Sequence, residues 1–446
     1  MFTREFYMKD LRDFIKKIED EGELARVREE VDPRFEAAAV LKRLDEQRGP
    51  AVMFEKVKGF EVPTVGNLCG TRSRLAKAIG VEEQEAIKYM EALEKPRPCK
   101  LVAGGPVKES VERGKLDVGR VLPVLTHHEK DAGPYITAGV LVYKDPETGV
   151  RAESIHRLQV KGDNKLGVFI ATMSLLSYYS KAEASKRPLE VAVAIGLEPA
   201  LMLASVAEVP VGFDKFDLAS PLRGDDLDLV KCEAVDVEVP SSAEFILEGE
   251  FSLGVYEDEG PFGETSGYYV RAKSPLITVK AITHREKPIY QAILPESMDA
   301  VNLIALPTEA SIFRAVRNIV PTVVNVCMTS FLHAVISIRK RHDWEPSTAI
   351  LPALLCFHIK HVVVVDEDVN IFNPKEVEWA IATRVQGNRG IMVFRGLPGT
   401  KIDPSSDEGL TTKMGVDATK PLDAPPKRFE KIRIPGEEKI RIEDYK

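Results

Sequence analysis

The chain has 446 residues and a mass of 49.5 kDa, room for roughly two to four domains. Lys plus Arg is 61 against 69 Asp plus Glu, a formal net charge of −8, with 44% hydrophobic and 29% charged residues. That balance excludes intrinsic disorder and collagen-like structure. An acidic chain without a long Lys/Arg block is also a poor candidate for nucleic-acid binding through a broad basic face.

Lys9 to Glu21 predicts an amphipathic helix, because Leu11, Phe14, Ile15 and Ile18 recur at i, i+3, i+4 and i+7. Phe35–Leu44 and Gln84–Leu93 read as further helices. Ala51–Val57 and Glu61–Val65 read as short strands, with Gly59 supplying a turn. Residues 1–105 therefore form an expected N-terminal α/β region, closed by a Pro-, Lys- and Gly-rich linker over Lys95–Gly105. Strand-like runs dominate 106–300: Ile136–Tyr143, Ser154–Val160, Leu189–Ile195, Lys231–Val239 and Leu276–His284. The Asp145–Gly149 segment is a turn, and one helix is expected between Ser174 and Arg187. This texture suggests a β-barrel or a strongly curved sheet. Over 301–446 the pattern alternates again. Glu309–Ile319 reads as a helix, and His333–Arg339 and His361–Val365 as strands. The latter ends in Asp366-Glu367-Asp368, and Asn373–Arg384 follows as a helix. That order favours a parallel α/β layer. The stretch from Lys420 is expected to be a tail crossing a neighbour.

Five scattered cysteines (Cys69, Cys99, Cys232, Cys327 and Cys356), with no C-x-x-C pair, imply neither a disulfide framework nor a zinc ribbon. MFTREFYMKD lacks the apolar core of a signal peptide, and no apolar run reaches membrane-span length. A cytoplasmic protein is expected.

The sharpest local feature is Glu257–Tyr269. Four of its side chains, Glu257, Asp258, Glu259 and Glu264, are carboxylates, and Gly260, Pro261, Gly263 and Gly267 favour a turn. Two carboxylates held close can divide into an acid and a base. On composition alone the plainer reading, an acidic exposed loop, is preferred. The second feature is Ser154–Val160. As a strand it would turn Arg157 and Gln159 to one side, and a buried Arg there needs a carboxylate, with Glu259 and Glu264 as candidates. Its alternative is an exposed edge strand. The eight histidines show no metal-binding spacing, and neither a P-loop nor a G-x-S-x-G elbow occurs.

Taken in order, six segments resemble the UbiD family of decarboxylases. They are Gly133–Gly139, Arg157 with Gln159, Val239–Gly249, Glu259–Tyr269, Trp379–Arg384 and Lys413–Thr419. The resemblance covers most of the chain. It implies an α/β (α+β) fold with an N-terminal α/β region, a central split β-barrel holding prenylated FMN, and a C-terminal α/β dimerisation region. It further implies a reversible non-oxidative decarboxylase of an α,β-unsaturated or aromatic acid. The acids it suggests are anhydromevalonate phosphate and a polyprenyl-hydroxybenzoate, in isoprenoid or quinone biosynthesis. The implied catalytic trio is Arg157, Glu259 and Glu264. The implied cofactor contacts are Thr137, Ser154, Ile155, Arg157, Ala204, Ser205, Lys215 and Lys413. The family's divalent metal, Mn or Mg, would be held by an Asn, a His and a Glu, but those positions carry Ala152, Met173 and Lys215. No metal ligand is therefore assigned, Lys215 is expected to meet the flavin phosphate directly, and potassium is left open. The alternative is a misalignment that puts Asp214 or Asp217 at the Glu position. A flavin prenyltransferase would supply the cofactor, plain FMN would bind without it, and a homodimer or homohexamer is usual. Two rival functions are an inactive flavin-binding or assembly homologue and an FMN reductase.

Overall fold

The computed structural model describes residues 8–81, 85–407, 409–436, 439–441 and 445. The start of the Gln84–Leu93 helix, most of the MFTREFYMKD segment and parts of the expected tail lie outside the described residues.

Helix Leu11–Asp20 begins where the Asp10 side chain accepts a hydrogen bond from the Asp13 amide, and its four periodic apolar residues are all buried. They pack on Ala51, Met53 and Val65. Helix Glu36–Glu46 turns Ala37, Ala38 and Leu41 toward Val52 and Phe54, the alternate residues of the same strand. A four-stranded sheet thus lies between two helices. Its order is Leu24–Val31, Ala51–Val57, Thr64–Gly66 and Tyr290–Gln291, so the last strand returns from far along the chain. The expected linker is not free: Lys100–Leu101 pairs in parallel with Asp228–Lys231.

The central sheet is antiparallel and has nine strands among the described residues. It runs Tyr135–Ile136, Leu158–Val160, Lys165–Val168, Tyr269–His284, Phe245–Gly263, Glu190–Ile195, Val140–Lys144 and Arg151–Ile155, with Ser110–Arg113 added on Tyr269–His284. Two expected strands prove to be broken. Ile136–Tyr143 divides at residues 137–139, and Ser154–Val160 divides at His156 and Arg157. Each break carries the chain from one end of the sheet to the other. The ends are therefore bent round until they lie a few residues apart, which gives strong curvature, though among the described residues no backbone pairing closes a barrel. Lys231–Val239 likewise resolves into two strands, Asp228–Lys231 and Glu238–Pro240.

Glu257–Tyr269 is not a loop. Glu257–Gly263 ends the 19-residue strand Phe245–Gly263, and the turn is confined to Glu264–Tyr268. Register shifts between Ser252 and Tyr256 and between Glu259 and Phe262 accommodate the glycines and the proline.

The C-terminal sheet has the order Val323–Ser330, Leu332–Ile338, Ile359–Asp366, Leu410–Asp417, Ile391–Pro398. Its three central strands are parallel, as the alternating pattern predicts, and both edges are antiparallel. Helices Met298–Arg317 and Glu345–Leu354 cover one face, and Pro374–Arg384, capped by Asn373, covers the other. Arg384 bonds Asp366 and Asp368, which gives the acidic run at the strand end a buried partner. Among the described residues no helix is long and apolar enough to cross a membrane.

Candidate active site

Arg157 lies at the break where one end of the central sheet crosses to the other. Its Nε donates to Glu259 Oε1 at 3.0 Å and its Nη2 to Glu259 Oε2 at 2.6 Å, a two-point fork. Its Nη1 donates to Glu264 Oε1. The guanidinium lies over the rings of Phe169 and Phe262, at 4.3 and 5.0 Å from their centroids. Glu259 is 1% exposed and Glu264 9%. The structure thus brings together the two features, Arg157 meeting both candidate carboxylates, and Arg157 is buried rather than on an exposed edge. Burial works against its charge, but the two carboxylates outweigh that and hold its pKa above the ordinary guanidinium value.

Around this trio the backbone is clamped from one loop. The Ala132 amide donates to the Pro261 carbonyl, and the Gln159 amide group donates to the Ala132 carbonyl while accepting from the Gly260 amide. Asp131 accepts from the Gly263 amide. Tyr135 packs on Phe262 with ring centroids 4.3 Å apart, and burial together with the Glu259 charge raises its phenol pKa.

His156, the neighbour of Arg157, was passed over in the sequence because no spacing marks it. It is buried, with Nδ1 2.9 Å from the Phe169 carbonyl and Nε2 2.9 Å from Ser154 Oγ. Burial lowers its pKa to about 4, so at neutral pH it is an uncharged hydrogen-bonding group. Ser154 also meets the Tyr143 hydroxyl at 3.0 Å, which in turn meets Ser174.

The remaining expected cofactor residues divide into groups. Thr137 Oγ1 accepts from the Ile293 amide, and Ile155 packs against the larger core. Ala204 and Ser205 end helix Pro199–Ser205 and are fully buried, and the Ser205 carbonyl accepts from Lys215 Nζ at 3.1 Å. Lys215 is itself buried, which lowers its pKa. Lys413 stands apart in the C-terminal sheet, where Nζ donates to the carbonyls of Leu354 and Cys356.

The three positions that the resemblance assigns to the metal ligands carry other side-chain types. Ala152 brings a methyl group to the core around Tyr143, Met173 is 71% exposed, and Lys215 is a cation. The nearby acids are engaged otherwise. Glu153 accepts from the Lys215 amide and from Arg151, and Asp214 pairs with Arg151 and caps Phe216. No cluster of three potential metal ligands occurs among the described residues.

A cavity of about 500 Å³ opens between the turn that follows Glu264 and the C-terminal region. Thr265, Ser266 and Glu296 line one side, and Phe331, Leu332 and Asp403 the other. The fold and the site together define a mixed α/β protein with a buried guanidinium–carboxylate trio on its curved central sheet.

Comparison with known proteins agrees over the whole length. Residues 15–93, 100–298 and 301–418 match the N-terminal, Rift-related and C-terminal domain models of 3-octaprenyl-4-hydroxybenzoate carboxy-lyase, that is, UbiD. The chain belongs to the UbiD family. It is 41% identical to the anhydromevalonate phosphate decarboxylase of Methanothermobacter thermautotrophicus, over 95% of this chain and 99% of that protein. The UbiD-class enzyme HmfF from Pelotomaculum thermopropionicum, solved with FMN, superposes with a TM-score of 0.95 at 47% identity, over 98% of this chain and 100% of that one. An evolved dimeric form of HmfF, solved with prFMN, gives a TM-score of 0.91 at 46% identity, with the same coverage.

Proposed function

We propose that the protein is a prenylated-FMN-dependent, non-oxidative decarboxylase of an α,β-unsaturated or aromatic carboxylic acid. The observation that carries this reading is the buried Arg157 held in a two-point fork by Glu259 and bonded to Glu264, whose sequence neighbour Thr265 lines a cavity. The name of the Methanothermobacter relative favours anhydromevalonate phosphate, an isoprenoid precursor, as the first acid to test, ahead of a polyprenyl-hydroxybenzoate.

In this reading Arg157, locked by Glu259, presents Nη1 to the carboxylate that is lost. Glu264, the more open of the two acids, holds and returns the proton at the carbon that CO₂ leaves. The prenylated flavin supplies the electron sink when bound. The curved central sheet serves as a split barrel that receives it, with Thr137, Ser154, Ile155, Ala204 and Ser205 along the cofactor. Lys215 is a buried ammonium bonded to a backbone carbonyl, so it suits a phosphate better than the metal for which the site lacks ligands. The two carbonyls on Lys413 favour a structural role for that residue. A homodimer or homohexamer formed through the C-terminal region is supported by exposed Ile391, Val393, Leu410 and Met414 on its last two strands, and by the dimeric form of HmfF. Five scattered cysteines with no C-x-x-C pair suit a cytoplasmic setting.

The test is co-expression with a flavin prenyltransferase, a mass spectrum of the bound cofactor, and CO₂ release from anhydromevalonate phosphate and a panel of aromatic and acrylic acids. Glu264→Gln should lose about 10²–10⁴-fold in turnover while keeping the cofactor. A fully active Glu264→Gln or Arg157→Ala protein would refute the assignment. Plain FMN with NAD(P)H oxidation would favour the reductase reading instead.

A further inference from the structure

His128 sits directly behind the turn that presents Glu264. A Cβ added to Gly263 would lie 2.4 Å from His128 Nδ1, so only glycine lets the imidazole pack there. His128 Nε2 is 2.9 Å from Glu296 Oε2, and Glu296 lines the cavity. On the other side, Asp131 lies 3.6 Å from His128 Nδ1. That Asp131 oxygen, Oδ2, accepts from the His128 amide at 2.9 Å, the other accepts from the Gly263 amide at 2.9 Å, and the side chain is completely buried. Gly263 directly precedes Glu264, and the Glu264 amide is in turn held by the Tyr268 carbonyl.

We propose that Glu296, His128 and Asp131 form a positioning chain that runs from the cavity wall to the backbone behind Glu264. It rests on the decarboxylase reading for its purpose, but its physical coupling stands without it. A molecule that fills the cavity and bonds Glu296 changes what Glu296 offers His128. His128 and Asp131 share that charge, and Asp131 sets where Gly263, and therefore Glu264, is held. Glu296, His128 and Asp131 are positioning residues: they act on the reaction through Glu264.

The groups facing His128 come from several elements. Asp131 and His127 lie in its own segment, and Glu296 precedes helix Met298–Arg317. Tyr269 places its ring edge-on at 6.3 Å, and Lys130 lies over that ring. Lys42, 3.8 Å from Glu296, and Asp45 of the same helix act through Glu296. Burial opposes protonation of His128, but Asp131 and Glu296 outweigh it and raise its pKa to about 9. At neutral pH the chain is therefore carboxylate–imidazolium–carboxylate.

The test uses the full-length holoprotein. Phe262-Gly263 is the chain's single Phe-Gly step, so carbonyl-¹³C-Phe with ¹⁵N-Gly labelling isolates the Gly263 amide in the NMR spectrum. Ring-¹⁵N-labelled histidine reports His128. In the unmodified protein the Gly263 amide should titrate with the His128 ring, with a midpoint near 9. Glu296→Gln should move both midpoints down together by about one unit or more. Glu296→Asp, which keeps the charge, should restore much of that loss. His128→Gln should abolish the titration at Gly263 while the other glycine signals stay in place. A Gly263 amide that ignores His128 titration in the unmodified protein overturns the proposal without need of any variant, and so does a Glu296→Gln midpoint that has not moved. With anhydromevalonate phosphate as the probe, Glu296→Gln should lower kcat more than it raises KM. If the coupling is present and the unmodified holoprotein releases no CO₂ from any acid tried, the decarboxylase reading fails and the coupling does not.

Discussion

Removing the Arg157 guanidinium tests the centre of the site by stability alone. The side chain is 6% exposed and its partner Glu259 has no exposed side-chain surface, so Arg157→Met leaves a carboxylate buried without its cation. Methionine still fills the space between the Phe169 and Phe262 rings, and the main loss is electrostatic. Breaking a buried ion pair by deleting one partner costs about 3–5 kcal/mol. For a domain of about 200 residues, each kcal/mol lowers Tm by roughly 2–4 °C, so a fall of about 6–20 °C is expected. The double variant Arg157→Met/Glu259→Gln removes both charges and should recover most of that fall, because an amide is far less costly to bury than an unpaired carboxylate. Differential scanning calorimetry and near-UV circular dichroism on the three proteins read the effect. Neither variant should decarboxylate. An Arg157→Met protein with unchanged Tm, or a double variant less stable than the single, would refute the claim that the fork bond is the principal partner of Glu259.

Lys215→Gln should weaken FMN binding by about 1.5–3 kcal/mol, the usual worth of a hydrogen bond to a charged group, in a fluorescence titration. Mn or Mg added to the unmodified protein should leave that affinity unchanged, and stoichiometric metal beside the flavin phosphate would count against the lysine. Gly249→Ala should cost about 1–3 kcal/mol as an overpacking change. Its Cβ would stand 2.4 Å from the Thr278 carbonyl oxygen, a backbone atom of the neighbouring strand that has no room to yield. A variant as stable as the parent in thermal melts would show that the sheet shifts there freely. His156 has a folded pKa of about 4 against about 6.5 unfolded, so between those values the unfolded chain binds the proton more readily. Its contribution to stability is complete above about pH 6.5 and is lost as the pH falls toward 4. His156→Gln should flatten part of the Tm-versus-pH slope in that window, and an unchanged slope would mean that the imidazole is accessible to protons in the folded protein.

The amphipathic helix Leu11–Asp20 was legible because its burial follows one local period. The parallel C-terminal layer was legible because strand, turn and helix alternate at ordinary spacing. The long strand Phe245–Gly263 was not, because two register shifts let glycine, proline and four acids lie near or within a strand that local rules would end. Its pairing with Tyr269–His284 repairs what its own composition lacks. The broken strand Arg151–Val160 hid for the opposite reason: its alternation is clean, yet the sheet needs a crossing there. Arg157 reaches Glu259 across 102 positions of sequence, so the pairing could be nominated from charge but not measured. The adjacent pair His127-His128 marked no role for His128, and Asp131 had none, since their partners Glu296 and Gly263 are joined to them only by the fold.

The net charge of −8 says nothing about this pocket, and the pocket explains why. Arg157, Glu259 and Glu264 together carry one cation and two carboxylates when all are ionised, so the trio is itself acidic. Two of the guanidinium nitrogens are spent on Glu259, and the third is held by Glu264. In the proposed reading, a substrate carboxylate that reaches Arg157 competes with Glu264 for Nη1. The displaced Glu264 then stands next to the incoming anion. In that reading, the contact that orients the acid also frees the group assigned to return the proton. A surface ion pair could not link the two events, because solvent would screen the charges apart. Burial at the seam of the curved sheet is what makes the competition strong enough to matter.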